Sequence, residues 1–336
     1  MSPRLVCRVA LRGTAGPSFG GLSPILPRAG NQDRYGGGHV CSSSRRPRRT
    51  RRCRCRRLPQ DHGRQGRLFR PVLGRGRPAV SVELTRDSGI ATLTFSDPPV
   101  NLYSLRLHEE FDVALEQVEA DPPRVLVIRA EGKIVSGGVD VSEFNSRGSR
   151  ETTKELYDRM LELPDRVEAL PIPTIFAAHS LTLTWAFEVA LACDLLLASE
   201  KARFGLVERV IGLTPTMGGT QRLASRAGVA RAKEFVFTGA QYDAAMLERW
   251  NVVNRVYGVD SFEDDVRSFA EGLADGPTKA FGAAKDILRQ YEAGGVPAAN
   301  AATTSVASAL FDTEDLRHGM ESFLADGPGN ATFHGR

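Results

Sequence analysis

The sequence contains no run approaching the ~20 consecutive apolar residues that a membrane-spanning helix needs, so a chain threaded through a bilayer by helices is excluded. Cysteine is scarce, five in 336 residues, which argues against a disulfide-stapled scaffold. No segment recurs at a fixed period, so the chain is not a repeat array. Lysine is absent from the first eighty residues and acid nearly so. There, nineteen Arg stand against Asp33 and Asp61 alone, a net of +17. Beyond residue 80 the balance reverses, with 25 basic and 38 acidic side chains and a net of −13. The overall +4 therefore describes neither part. Cys7, Cys41, Cys53 and Cys55 also lie in the basic part, and only Cys193 lies beyond it.

Residues 1–79 show neither a helical nor a strand period and are broken by Gly36-Gly37-Gly38 and by Arg45-Arg46-Pro47-Arg48-Arg49. Like charges at this density repel, and little apolar surface offsets chain entropy, so the segment is expected to be disordered. Three readings stand. A polybasic arm would bind nucleic acid or an anionic surface. Ser2–Ala29, basic and free of acids, is similar to an organelle transit peptide. Arginine without lysine also fits GC-rich DNA read upstream of a true start near Val80, with no selected function. Cys53-Arg54-Cys55 lacks a second Cys/His pair, so no zinc site and no other metal is expected.

From Val80 onward the pattern is regular. Val82–Leu84 and Ile90–Phe95 alternate like paired strands around an Asp87-Ser88-Gly89 turn. Leu105–Val118 places Leu107, Phe111, Ala114, Leu115 and Val118 on one helical face. Val125–Ile128, Thr174–Ala178 and Leu195–Ala198 read as buried strands. Thr152–Ala169 reads as a helix kinked or split at Pro164, and Trp185–Ala192 as a short apolar helix. Later helices are expected at Ala230–Phe237, Ala244–Trp250, Ser261–Ala274, Lys279–Gln290 and Asn300–Leu310, with one strand at Val252–Tyr257. Strands alternating with helices, then helices alone, predict an α/β core over 80–275 and a helical region over 276–336.

The chemistry-bearing stretch is Phe187-Glu188-Val189-Ala190-Leu191-Ala192-Cys193-Asp194, with Glu208 following Phe204-Gly205-Leu206-Val207 twenty residues later. Two carboxylates in apolar surroundings have raised pKa values and exchange protons with water near neutrality, one as base and one as acid. A capping glutamate and an unrelated surface glutamate would give the same sequence.

Beyond that pair, the chain resembles the crotonase, or enoyl-CoA hydratase/isomerase, family from about Val82 to Gly335. The resemblance rests on Glu188–Asp194, on Ser199-Glu200-Lys201-Ala202-Arg203-Phe204-Gly205, and on Gly218-Gly219-Thr220-Gln221-Arg222. Ser136-Gly137-Gly138-Val139-Asp140-Val141 and Asn101-Leu102-Tyr103-Ser104 add to it. It implies an α/β spiral of ββα turns with a helical C-terminal trimerisation region, a homotrimer or dimer of trimers, and an acyl-CoA thioester as ligand. It implies no cofactor beyond the coenzyme A carried by the substrate, and β-oxidation-type fatty acid chemistry.

On this resemblance, the N–H groups of Gly137 and Trp185 form an oxyanion hole. Ser136, Gly138 and Asp140 line the substrate, with Asp140 also read as a helix cap. Glu188 activates water and Glu208 exchanges a proton with C2. The implied reaction is hydration of a trans-2-enoyl-CoA. An enoyl-CoA isomerase, or an acyl-CoA-binding member with impaired catalysis, are the alternatives. The cytoplasm is the expected compartment, or the mitochondrial matrix if residues 1–79 are a transit peptide. Nucleic-acid binding and membrane association are not expected of the folded part.

Several positions depart from the family pattern. Trp185 replaces a glycine, and its indole must either wall the acyl pocket or fill it. His179-Ser180 replaces Asn-Gly, and Val207 replaces a proline. The usual basic residues near the C-terminus are missing, and Lys133 is read either as an exposed loop lysine or as a substitute contact for coenzyme A phosphates. His179, Cys193 and Arg222 are read as structural.

Overall fold

The computed structural model describes residues 81–146 and 149–336. The Arg-rich segment 1–79, with its competing readings and its four cysteines, lies outside the described residues. Strands β1 (Ser81–Asp87) and β2 (Ile90–Ser96) pair as an antiparallel hairpin. Their two-residue turn places Ser88 at φ 50° and Gly89 at φ 81°, the left-handed pair that matches strand twist.

Four further strands join in the order β1-β2-β3-β4-β6-β9: β3 (Val125–Ala130), β4 (Thr174–Ala178), β6 (Leu195–Ser199) and β9 (Arg255–Tyr257). Every pairing after the hairpin is parallel, so each strand must be reached by a crossover. Helices α1 (Leu105–Ala120), α3 (Arg150–Ala169) and α4 (Trp185–Ala192) supply the first three crossovers. A short helix, α2 (Val141–Asn145), precedes α3.

The run Val125–Ile128 is apolar throughout because the sheet is covered on both faces. Leu126 and Ile128 pack into the main core with Leu107, Phe111 and Leu115 of α1 and with α4. Val125 and Val127 face the other way, with Ile175 and Leu197, under Phe262, Val266 and Ala270 of α8 (Phe262–Ala274). Among the described residues no helix is long and apolar enough to cross a membrane.

The structure corrects several sequence-based boundaries. Helix α3 runs through the buried Pro164 as one element. The two helices expected near the C-terminus are present as the two arms of α9 (Thr278–Ala309), separated by a kink at Gly294 and Gly295, whose backbone angles are not helical. The strand expected from Val252 begins only at Arg255. The N–H groups of Val252 and Val253 instead close α7 (Ala244–Arg249) by donating to the Leu247 carbonyl. Helix α10 (Glu314–Asp326) was not expected individually, although Thr313 caps it by accepting from the Leu316 N–H.

Lys285 and Gly282 are among the points at which α9 meets the core. The Lys285 ammonium donates to Asp194 Oδ2 at 2.8 Å, and that oxygen also accepts from the backbone and hydroxyl of Thr174 at the start of β4. Gly282 lets α9 approach the loop before β4, because a Cβ there would lie 2.5 Å from the Pro171 carbonyl oxygen. Gly282→Ala is therefore expected to destabilise the fold by about 1–3 kcal/mol through overpacking, despite alanine's better helix propensity. Urea or guanidinium unfolding checks this, and an unchanged midpoint would show that α9 has room to shift.

Candidate active site

A second, smaller sheet brings the candidate residues together. Strands β5 (Thr182–Leu183) and β7 (Arg203–Gly205) are parallel, pairing Thr182 with Phe204 and Leu183 with Gly205. The Thr184 N–H continues the ladder to the Gly205 carbonyl at 2.9 Å. Ser136 forms a parallel bridge to Thr182 on the other side. Three parallel segments thus end side by side, and each runs straight into a candidate element. These are the Gly137–Gly138 loop, the start of α4, and the 3₁₀ turn Glu208–Ile211. Ligands commonly bind beyond the carboxyl ends of parallel strands, where neighbouring loops diverge.

Glu188 lies in the first turn of α4 and is buried. Its Oε2 accepts from the N–H groups of Met217 and Gly219, each at 2.8 Å. Gly219 begins α5 (Gly219–Ala227), and a Cβ on it would sit 2.7 Å from Glu188 Cγ. The glycine pair Gly218-Gly219 therefore lets a backbone cradle close on a side chain. Burial pushes the Glu188 carboxyl up to about 7, against the opposing pull of the backbone donors and, at longer range, of Arg222.

Glu208 opens the 3₁₀ turn that follows β7 and is also buried. Among the described residues neither of its carboxylate oxygens has a hydrogen-bond partner. Burial, then the nearby Glu188 charge, pushes it up to about 8. That repulsion reflects the proximity of the two carboxyls in the fold. A buried carboxyl without a partner is costly, and such groups cluster where a ligand or reacting water completes the shell.

The two segments assigned to an oxyanion hole are adjacent but not equivalent. The Trp185 N–H is the first of α4, so it has no partner within its helix, and the positive end of the helix dipole favours an anion there. The Gly137 N–H is already taken, donating to the Val100 carbonyl at 2.7 Å. The Trp185 indole is almost wholly enclosed. It is buried in the main core against Phe95, at 4.9 Å between ring centres, and near Tyr103 and Phe111. Its Nε1 donates to the Asn101 carbonyl at 3.3 Å.

That carbonyl also accepts from the Ser136 hydroxyl at 2.8 Å. The Asn101 side chain donates to the carbonyls of Glu131, Ile134 and Val135, so Asn101 pins the whole loop. Ser136 Oγ accepts from the Gly138 N–H, and the Gly138 carbonyl accepts from the Tyr103 N–H. Ser136 is thus engaged internally.

The remaining residues sort by contact. Asp140 caps α2, accepting from the Ser142 N–H and hydroxyl. Arg222 is nearly buried and binds Asp165 and Glu168 of α3 and the Met217 carbonyl, fixing the loop that cradles Glu188. Burial raises the Cys193 thiol to about 12, which makes it inert. His179 bonds the Gly132 carbonyl at 3.0 Å, and Lys133 is exposed.

Sequence reasoning missed a buried chain beneath the loop. Tyr103 Oη meets His108 Nδ1 at 3.1 Å, and His108 Nε2 meets Asp112 at 3.3 Å. It also assigned nothing to Thr184, whose positive φ marks it.

Comparison with known proteins identifies the family. The family model described as enoyl-CoA hydratase/isomerase matches residues 85–331. A Bacillus subtilis protein named "Probable enoyl-CoA hydratase" is 29% identical over 247 residues, covering 73% of this chain and 95% of the relative. A Mycobacterium bovis protein with a similar name is 30% identical over 202 residues, covering 60% and 77%. Among solved structures, the enoyl-CoA hydratase of Bacillus anthracis superposes with a TM-score of 0.70 at 26% identity, covering 76% of this chain and 99% of that one. With the match spanning most of the folded part, the chain belongs to the enoyl-CoA hydratase/isomerase, or crotonase, family.

Proposed function

We propose that this protein adds water across the C2–C3 double bond of a trans-2-enoyl-CoA. The observation that carries the reading is the pair Glu188 and Glu208, buried together with carboxyls raised to about 7 and about 8. Near neutrality such a pair populates the form with one acid ionised and the other protonated. In the proposed step the Glu188 carboxylate takes a proton from water as the oxygen attacks C3. The electron pair of the double bond moves toward the thioester oxygen, giving an enolate-like state stabilised by main-chain donors. Glu208 delivers its proton to C2, and the C–O and C–H bonds formed balance the water consumed.

Both protons are accounted for by the two acids, so the reading requires no cofactor beyond the coenzyme A of the substrate. The relatives named above are bacterial proteins, and we place the reaction in the cytoplasm. Exposed Phe311, Phe323 and Leu324 on and before α10 support self-association, for which we propose the homotrimer.

Glu208→Gln is expected to lower kcat for crotonyl-CoA hydration by at least about 10², with binding of the thioester largely kept. Steady-state kinetics and calorimetry check both, and unchanged turnover would remove Glu208 from the chemistry. Supplying a 3-enoyl-CoA in parallel and identifying the product separates hydration from isomerisation.

The pH profile of kcat/KM should be a bell, rising through about 7 as the pair loses its first proton and falling above about 8 as it loses the second. Stability should run differently. Both carboxyls are raised in the fold, so the folded chain holds protons that the unfolded chain releases. Their contribution is complete below about 4.5 and is lost as pH rises through about 7 to 8. Denaturation at pH 5 and pH 8 checks the sign, and Glu208→Gln should flatten the difference.

A further inference from the structure

Tyr103, His108 and Asp112 form a hydrogen-bonded chain that the proton transfers above do not use. His108 lies on the buried face of α1, beside Leu107, Phe111 and Leu115, and is 2% exposed. Its Nδ1 meets Tyr103 Oη at 3.1 Å, and its Nε2 meets Asp112 Oδ2 at 3.3 Å. Asp112 is held in turn by Arg166 at 3.0 Å and by Arg159 at 3.6 Å. Burial holds the imidazole below its ordinary pKa, and so neutral near neutrality. An ionised carboxylate only accepts, so Nε2 carries the proton and Nδ1 accepts from the tyrosine hydroxyl. An apolar side chain would fill this place in the core without the cost of burying polar groups. The chain therefore calls for a reason other than packing.

Its inner end holds the oxyanion loop. The Tyr103 N–H donates to the Gly138 carbonyl at 2.9 Å, and the Tyr103 carbonyl accepts from the Asp140 N–H at 3.1 Å. This bridge grips the loop on both sides of Val139. The Gly138 carbonyl and the Val139 N–H share one planar trans peptide and point in opposite directions. Fixing that carbonyl on Tyr103 therefore aims the Val139 N–H away from Tyr103, and it has no partner among the described residues. The Gly137 N–H is spent on Val100 and the Gly138 N–H on Ser136. Gly138, at φ 114°, has no side chain to restrain the peptide that follows it. A Cβ on Gly138 would stand 3.4 Å from Thr184 Oγ1, and Trp185 follows Thr184 with the first N–H of α4. The free main-chain donors of these two neighbouring segments are thus those of Val139 and Trp185, and Tyr103 sets the aim of the first.

We propose that His108 is a positioning residue: held by Asp112, it fixes the Tyr103 side chain, and through the Tyr103 backbone it fixes the direction of the loop N–H that meets the thioester oxygen of the substrate. The assignment rests on the acyl-CoA reading above. A fully satisfied buried network gives the tyrosine one orientation, where packing alone leaves it freer. A donor aimed at the enolate-like oxygen stabilises the transition state more than the bound thioester. Misalignment therefore lowers kcat more than it changes KM.

The test uses the full chain with crotonyl-CoA as the probe. Tyr103→Phe, His108→Leu and the double variant are compared with wild type by kinetics, thermal melting and the infrared carbonyl band of the bound thioester. Each single change leaves a buried polar group without its partner and should lower the melting temperature. The double change removes both groups and should melt close to wild type. The rate is expected to follow a different order. All three variants should lose about 10-fold in kcat, with KM within about threefold, and their bound carbonyl band should move toward its position in free solution. If the double variant does not fold, Tyr103→Phe, which keeps the ring, carries the comparison through its band.

Wild-type kcat and an unmoved band in the double variant would make the chain purely structural and overturn the proposal. So would a kcat that simply tracks the melting temperature across the three variants, or an unmoved band in Tyr103→Phe where that variant stands alone. If the wild-type protein binds crotonyl-CoA without hydrating it, the hydratase reading alone falls, and the carbonyl band still decides the role of His108. If it binds no crotonyl-CoA, the acyl-CoA reading falls and this assignment with it.

Discussion

The site depends on the parallel register that sets Leu183 opposite Gly205. Two short strands end together, and each leads within a few residues into a helical turn bearing a glutamate. Neither Glu188 nor Glu208 is near the other along the chain, and both would prefer water. The register brings both to the buried ends of these strands, where the Glu188 charge raises the cost of ionising Glu208. A shift of one residue would turn the side chains of β5 and β7 to opposite faces and separate the acids.

The surrounding structure holds that pair unequally. Glu188 is fixed by the Met217 and Gly219 N–H groups, and the loop that carries them is tied to α3 by Arg222. This costs the chain a glycine pair, because a side chain on Gly219 would occupy the place of Glu188. Glu208 receives no such support among the described residues and keeps both oxygens open. A fixed acid beside an unsatisfied one is the asymmetry on which the proposed water addition rests. Burial of both carboxyls is why the fold should lose stability as pH rises.

The Gly137 loop and the start of α4 form the other half of the site, and there the chain differs most from its family pattern. Trp185 stands where a glycine is usual, yet its indole turns into the core and helps anchor the loop through Asn101. The preceding Thr184 takes up the unusual backbone angles that a glycine would adopt without strain. The aromatic side chain thus adds packing to the core, and the strain falls on its neighbour.

The sequence alone determined the elements that follow from local periodicity. The buried strands were readable from unbroken apolar runs, α1 from its spaced Leu107, Phe111 and Leu115, and α4 at its observed ends. It also marked Glu188 and Glu208 as a candidate pair, because carboxylates within apolar stretches are conspicuous. It did not show which donors remain free. Whether the Gly137 N–H is spent, where the Trp185 indole lies, and that Thr184 Oγ1 has no partner depend on residues 35 or more positions away, among them Val100 and Asn101. Hydrogen-bond partners and burial are properties of contacts between distant segments, and no local pattern encodes them. Tertiary structure therefore decided which groups around the two acids are engaged and which are left to meet a ligand.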